Sequence, residues 1–315
     1  MLKNLQAANF FLILSLGAML IGFAPIFVKW SELSSSAILF WRMFLALPML
    51  AILNYSLNKT FIFKVKNKNT ILYTAIASLA FTTDLILWHY SMNITSVSNA
   101  TIIVNSAPIF VALFAYIIFK EAPAKGFVVS FLITYIGITG LIIFSSNYAN
   151  GKIVGDLLCI IAAIGYGIYL LIIAKLGKET SLNLIFYTTL FCCLFSIIPM
   201  MLDSGINFPK SDFEWINLFL LALVCQFGGQ FLITFGIGKI SPSNGSIGLL
   251  MQPLTATILA AFIFSEWLNL AQIIFAAVAL IGIYFARLSI VKSVSYTHLR
   301  AHETVLDLVC RLLLE

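Results

Sequence analysis

The sequence predicts an all-α, polytopic membrane protein with ten transmembrane helices, arranged as two inverted five-helix repeats. Three observations lead to this fold class: an apolar composition, regularly spaced apolar runs, and self-similarity at a fixed offset. Of the 315 residues, 61% are hydrophobic and 10% are charged, whereas soluble domains spend about a quarter of their residues on charge. This composition excludes an ordinary water-soluble domain.

Ten apolar runs account for most of the chain, and each approaches the roughly 20 residues that a helix needs to cross a bilayer core. The connectors between them are short and polar, so we expect one membrane domain with the lipid bilayer as its surroundings. The first run is too long for a signal-peptide core, and we expect it to be retained. The runs lie at about residues 9–28, 34–54, 69–90, 98–119, 126–144, 153–173, 183–202, 215–237, 245–264 and 268–290.

The distribution of lysine and arginine predicts the orientation, because cytoplasmic connectors are enriched in these residues. If the N-terminus is inside, the outer connectors hold only Lys29, Lys152 and Lys210. Both ends of the membrane domain are therefore predicted to be cytoplasmic, in a bacterial inner membrane. The net charge of +6 does not indicate nucleic-acid binding, because the basic residues are not gathered on one surface. The inner connectors hold Lys3, Lys59, Lys64, Lys66, Lys68, Lys120, Lys125, Lys175, Lys178, Lys239, Arg287 and Lys292.

An internal repeat appears when the sequence is shifted by 145 residues. Because each half has five helices, an odd number, the second half must enter the membrane in the opposite sense, with Glu121 inside and Glu266 outside. Inverted repeats of this kind recur in secondary transporters, so we predict repeats at residues 1–146 and 147–292. The shift places Ser96, Ser98 and Asn99 on Ser241, Ser243 and Asn244, Pro108 on Pro253, Phe119 and Glu121 on Phe264 and Glu266, and Gly137 on Gly282.

These residues resemble the EamA-type branch of the drug/metabolite transporter superfamily over residues 9–290. The resemblance implies two five-helix repeats and ATP-independent transport of small metabolites, often amino acids or related compounds. The second half departs from the pattern, because Phe186, Tyr187 and Thr188 stand near the place of Phe40, Trp41 and Arg42, so symmetric use of an arginine is not expected. The resemblance rests on the segments 22–29 (GFAPIFVK), 40–43 (FWRM), 84–91 (DLILWHYS), 95–100 (TSVSNA) and 107–110 (APIF), and on those ending at Glu121 and Glu266.

Charged residues inside apolar spans are costly to bury, so they mark a transport pathway, a proton relay or an internal ion pair. Arg42 and Asp84 lie about 9 to 12 Å below the outer ends of the second and third spans, at 1.5 Å per residue. The two could meet and merely hold two helices together, or they could handle substrate and protons. Asp156, close to the start of the sixth span, is predicted to be a solvated helix-end charge.

Other polar and aromatic side chains extend the candidate pathway. Asp84 and Trp88 share a helix face by the i, i+4 rule, and His89 stands beside them, although a polar residue at the outer edge of the span is the expected role for His89. Tyr166 and Tyr169 could present rings to a planar or apolar substrate group, or could be ordinary aromatic residues of a membrane helix.

Prolines and amides mark the other candidate positions. Pro25, Pro108 and Pro253 interrupt helical hydrogen bonding and are predicted hinges or helix breaks. Asn105 and Gln252 lie just before two of these breaks, where they serve either the pathway or interhelical hydrogen bonding.

Three further side chains have two open interpretations. Gln226, one turn from Gln230, is a candidate for the pathway or for packing between helices. Glu121 and Glu266 are predicted to be solvated helix-end charges, with gating as the alternative.

After Lys292 the composition changes, and residues 293–315 are predicted to be a non-native tail, because residues 294–304 resemble a translated adapter sequence. The pair His298 and His302 is therefore not interpreted as a metal site, and no metal or other cofactor is expected.

The most consistent prediction is a secondary transporter, with a small organic molecule as substrate and export as the expected direction. A monomer is allowed, and the oligomeric state stays open. The alternatives are a passive channel or membrane scaffold and, as a further class, an intramembrane transferase. The transferase would need a nucleophile, base or metal cluster that the spans lack in sequence.

Overall fold

The computed structural model describes an all-helical protein. Every regular element in the described residues is a helix, and they contain no strand, which confirms the all-α prediction. Glu121 and the predicted tail lie outside the described residues. The structure describes residues 2–61, 63, 68–119, 126–144, 152–176, 181–203, 205–237 and 248–285.

The helices follow the predicted apolar runs, and three runs are each divided between two or more helical segments. The first half contains α1 (Leu2–Gly22), α2 (Ala24–Trp30), α3 (Ser35–Asn58), α4 (Lys68–Ser91), α5 (Val97–Val104), α6 (Ala107–Phe119) and α7 (Phe127–Ile143). The second half contains α8 (Lys152–Lys175), α9 (Ser181–Leu202), α10 (Asp212–Leu220), a π-helical segment (Leu221–Gly229), α11 (Gln230–Ile237), α12 (Met251–Phe264) and α13 (Leu270–Phe285).

Seven apolar segments of the described residues are long enough to cross a membrane: Leu12–Trp30, Ser35–Asn58, Asn69–Ser91, Val97–Ile118, Ile153–Ile173, Leu182–Leu202 and Asp212–Ile233. Three further apolar helices are shorter, at Val128–Ile143, Met251–Phe264 and Leu270–Phe285. At 1.5 Å per residue these three rise about 21 to 24 Å, less than the roughly 30 Å of a bilayer core. Ten complete crossings therefore stay a prediction.

Prolines fall at two kinds of position. Pro25, Pro108 and Pro253 lie in the first turns of α2, α6 and α12. Backbone N–H groups of a first turn have no acceptor within the helix, so proline removes no helical hydrogen bond there. Pro48 and Pro199 instead lie inside α3 and α9, which continue through them. The three prolines predicted to be hinges thus stand where helical segments begin.

Helices of the two halves pack mainly against each other. In the first half, α4 packs on α8 and α9, and α3 packs on α9. In the second half, the π-helical segment and α11 pack on α1, and the π-helical segment also packs on α3. The deepest part of the protein therefore lies between α3, α4, α9 and the π-helical segment.

Small residues allow the closest helix contacts, and these contacts recur after the 145-residue shift. A Cβ atom on Gly22 would lie 2.8 Å from Thr255 Cβ, and one on Gly167 would lie 2.8 Å from Phe110 Cβ. Adding 145 to 22 gives 167, and subtracting it from 255 gives 110. Exchanging the two halves therefore turns one contact into the other.

The same exchange relates two contacts between α7 and α13. A Cβ atom on Gly137 would collide with Ala279, and one on Gly282 would collide with Thr134. The shift converts Gly137 into Gly282 and Ala279 into Thr134, so this packing also matches itself when the halves are exchanged.

Candidate functional site

A cluster of polar side chains is buried where α3, α4, α9 and the π-helical segment meet. Each member is at most 5% exposed. Because buried polar groups are costly unless they find partners, such a cluster inside an apolar bundle points to a role beyond packing. We call Arg42, Asp84, Trp88, His89, Thr189 and Gln226 the central cluster.

Arg42 is held by the second half of the chain. Its Nε donates a hydrogen bond to Gln226 Oε1 at 3.2 Å, and Gln226 Nε2 donates to Thr189 Oγ1, also at 3.2 Å. Arg42 Nη1 is buried and has no hydrogen-bond partner among the described residues. The guanidinium is therefore fixed on one side and has a free donor group.

Asp84 lies in electrostatic range of Arg42 without forming an ion pair. The described residues contain no Arg42–Asp84 contact within 4.0 Å, and Asp84 Oδ1 is buried without a hydrogen-bond partner there. A direct ion pair is therefore not formed among the described residues, and both mutual neutralisation and substrate or proton handling stay predictions. The guanidinium of Arg42 and the carboxyl group of Asp84 instead stand apart inside the bundle.

His89 lies in the last turn of α4, at the edge of the span as predicted, but its side chain is buried between helices. The side chain is 0% exposed, and Nδ1 lies 3.3 Å from the carbonyl oxygen of Ser35. Because a carbonyl only accepts hydrogen bonds, Nδ1 carries the proton and Nε2 is an acceptor. Both His89 Nε2 and Trp88 Nε1 are buried without partners in the described residues, so the cluster holds one more free acceptor and one more free donor.

Aromatic rings lie next to Asp84 on the side of α8. The ring of Phe81 stacks on Tyr169 at 4.4 Å between centroids and on Tyr166 at 5.8 Å. Gly165 allows this approach, since a Cβ atom there would lie 3.3 Å from Asp84 Cβ. A planar aromatic surface thus adjoins the charged part of the cluster.

Asn105 and Gln252 make contacts near two of the helix breaks, Asn105 through its side-chain amide and Gln252 through its backbone. Asn105 Nδ2 donates to the carbonyl oxygen of Thr101 at 2.9 Å, within the turn that ends α5. The backbone oxygen of Gln252 approaches Gly22, 2.9 Å from the position of a Cβ atom. These contacts place Asn105 and Gln252 at the joints between helical segments.

Asp156 is buried, so the prediction of a solvated charge is wrong. It is 1% exposed, accepts a hydrogen bond from Thr95 Oγ1 at 2.6 Å, and lies 3.3 and 3.4 Å from Asn99 Nδ2 through its two oxygens. The start of α5 covers this carboxylate, so Asp156 ties α8 to α5. Thr95 and Asn99 belong to the TSVSNA segment noted in the sequence, but no local pattern pairs them with Asp156.

The EamA-like transporter family matches the chain twice, over residues 9–143 and again over residues 153–288. The chain belongs to this family. As an EamA-like protein with several apolar helices, it is a multi-pass membrane transporter and not an enzyme.

Two curated relatives of this EamA-like chain are also transport proteins by name. An S-adenosylmethionine uptake transporter of Rickettsia prowazekii (strain Madrid E) is 25% identical over 215 residues, which cover 67% of this chain and 70% of that protein. Solute carrier family 35 member G1 of Mus musculus is 29% identical over 194 residues, which cover 57% of this chain and 50% of that protein. A crystal structure of another protein shares the fold with a TM-score of 0.64 at 13% identity, over 90% of this chain and 98% of that one.

One end of the EamA-like bundle is closed by contacts between the halves. This end, which we call the A face, carries the connectors after α2, α4, α9 and α12. Glu266 forms an ion pair with Lys29 and accepts a hydrogen bond from the backbone N–H of Val97 at 2.9 Å. Glu266 is a partly exposed charge at the end of α12 that also joins this end to α2 and α5, so solvation and gating both stay open.

Two more acidic residues of the second half hold the A face of the EamA-like protein. Glu214, which is 5% exposed, accepts a hydrogen bond from Ser31 Oγ. Asp203 Oδ2 accepts one from Ser36 Oγ at 3.2 Å. Sequence reasoning missed both residues, because each lies at a helix end where an acidic side chain is ordinarily solvated.

Proposed function

We propose that this protein is a secondary transporter that exports small organic metabolites by alternating access. The observation that carries the proposal is the central cluster, in which charges from the first half and amide and hydroxyl groups from the second half meet inside the bundle. Unpartnered donors and acceptors at such a place suit a polar molecule that enters, replaces the missing hydrogen bonds and leaves again.

The proposed mechanism uses ten spans in two inverted halves that rock about the central cluster. The contacts of Gly22 and Gly137 support it, because the 145-residue shift carries each into its counterpart at Gly167 and Gly282. The two separate family matches, over residues 9–143 and 153–288, support the same duplication. Inverted halves can exchange conformations and so expose one midplane site to each side in turn.

We further propose that the A face is the outer side of a bacterial inner membrane, with both ends of the membrane domain inside. The excess of lysine in the opposite connectors supports this orientation. The contacts of Glu266, Glu214 and Asp203 then close the outer side, and the described conformation is one with restricted outer access.

The proposed substrates are amino-acid-like zwitterions. Arg42 Nη1 offers a donor to a carboxylate, Asp84 offers an acceptor to an ammonium group or a proton, and the rings of Phe81, Tyr166 and Tyr169 offer a surface to a planar or apolar group. The relative named for S-adenosylmethionine uptake makes that compound a suitable first probe. The direction of net flux in a carrier follows the gradients, so export in exchange for protons is compatible with a relative named for uptake.

The test is uptake of labelled S-adenosylmethionine and L-methionine into proteoliposomes, with and without a pH gradient. We expect saturable flux that internal unlabelled probe accelerates. Flux that neither saturates nor responds to counterflow indicates a channel, and no flux of either probe refutes the proposed substrate class. Asp84→Asn should keep counterflow but lose stimulation by the pH gradient; if stimulation is retained in full, Asp84 has no part in proton coupling.

A further inference from the structure

The orientation of the Gln226 amide is the detail that the proposed function leaves unexplained. A glutamine amide has an acceptor end and a donor end, and only the acceptor end can bind a guanidinium. In this protein Oε1 faces Arg42 and Nε2 faces the hydroxyl of Thr189. Arg42 Nε can only donate, so it fixes Oε1 towards itself, and the Thr189 hydroxyl then anchors the other end of the amide by accepting from Nε2.

The helix geometry around Gln226 is unusual. Gln226 lies in the middle of the π-helical segment Leu221–Gly229, and π-helical turns are rare and occur frequently at functional sites. Gln226 is 2% exposed and Thr189 is 0% exposed. The non-α turn presents the amide to α3 and α9 together, where an ordered chain from hydroxyl to amide to guanidinium can form away from water.

We propose that Thr189 and Gln226 are positioning residues that hold Arg42 so that its Nη1 meets the carboxylate of the substrate. The inference rests on the proposed function, since it assigns each group a part in the same site. Arg42 is the only arginine among the described residues, and its Nε is already occupied by Gln226. The carboxylate therefore approaches from the Nη1 side, and neither Thr189 nor Gln226 needs to touch the substrate.

The hydrogen bonds from Arg42 through Gln226 to Thr189 also join the two halves, because Arg42 belongs to the first half and both positioning residues belong to the second. The carboxylate subsite is complete only in conformations that bring α3, α9 and the π-helical segment together. Loss of the Thr189 hydroxyl should lower substrate affinity without removing a transport step. One hydrogen bond of ordinary net strength corresponds to about a fivefold change in affinity.

The test compares Thr189→Val, which removes the hydroxyl at nearly constant volume, with Thr189→Ser, which retains it. The readout is KM and Vmax for labelled L-methionine and S-adenosylmethionine in proteoliposomes. We expect Thr189→Val to raise KM about fivefold with Vmax within twofold of wild type, and Thr189→Ser to restore KM. The matched control is Thr74→Val in α4, because Thr74 is also buried but donates its hydroxyl to the carbonyl of Thr70 in its own helix.

A purely structural role predicts a different result, since fewer folded carriers lower Vmax and leave KM unchanged. An unchanged KM in Thr189→Val, or a raised KM that Thr189→Ser does not restore, overturns the inference and leaves the proposed function intact. If the wild-type protein moves neither probe, the proposed substrate class fails, and the inference fails with it.

Discussion

The closure of the A face can be tested by removing the charge of one residue. Glu266→Gln keeps the size of the side chain but removes the ion pair with Lys29 and weakens the hydrogen bond from the Val97 N–H. The paired side chains are 26% and 18% exposed, so the ion pair contributes about 1 kcal/mol or less. Replacing a carboxylate by a neutral acceptor at the N–H costs about another 1 kcal/mol, because hydrogen bonds to charged groups are stronger than neutral ones.

Together these losses amount to about 1 to 2 kcal/mol, on the order of a 5- to 30-fold shift towards conformations open at the A face. Ser98→Cys reports the opening, because Ser98 is 0% exposed, one residue after Val97 at the start of α5. In intact cells we expect a membrane-impermeant maleimide to label Ser98→Cys 5- to 30-fold faster when Glu266→Gln is also present. The parent protein with its native cysteines sets the background rate.

The control for this prediction is Glu32→Gln, since Glu32 has an exposed side chain at the same face and should leave the labelling rate unchanged. Raised ionic strength should reduce the difference in labelling rate between proteins with Glu266 and with Glu266→Gln, because salt screens partly exposed ion pairs. If Ser98→Cys is labelled at rates within twofold of each other with Glu266 and with Glu266→Gln, the idea that Glu266 keeps this face closed is refuted. Faster labelling in both variants would instead show a general effect of surface charge.

Two further predictions concern stability, measured as thermal unfolding of the purified protein in detergent. Asp156→Ala leaves the buried donor groups of Thr95 and Asn99 without this acceptor, so we expect the free energy of unfolding to fall by about 2 to 4 kcal/mol. Asp156→Asn should lower it less. Equal losses in both variants would contradict the hydrogen-bonding explanation. Gly282→Val forces α13 away from the backbone of Thr134 and should cost about 1 to 3 kcal/mol by overpacking; an unchanged unfolding temperature would mean that these helices do not meet there.

The sequence predicts the parts of the site that are expensive to bury. Arg42 and Asp84 stand out because charge inside a span is rare, and both belong to the central cluster. Thr189 does not stand out, because threonine is common in membrane helices and its role depends on the amide opposite. A charged residue inside an apolar span can be recognised from the sequence, whereas its hydrogen-bond partners are determined only by helix packing.

Burial of charged residues at the ends of helices could not be predicted from the sequence either. Asp156 is four residues from the start of α8, where a carboxylate ordinarily reaches water, and only the fold places α5 over it. The partners Lys29 and Glu266 are 237 residues apart, and no local pattern connects them. The π-helical segment had no sequence signal either, because its apolar residues and paired glycines are equally compatible with an α-helix.

The scaffold and the site obey different symmetry. The packing at Gly22 and Gly137 recurs in the other half, whereas the same 145-residue shift carries Arg42 onto the uncharged Tyr187. Under the proposed function the two halves therefore have different roles: the first half supplies the charges that would bind substrate, and the second half supplies neutral groups that would orient them. Under the proposed alternating access, rocking of the halves would change how well Arg42 is oriented and would link substrate affinity to conformation.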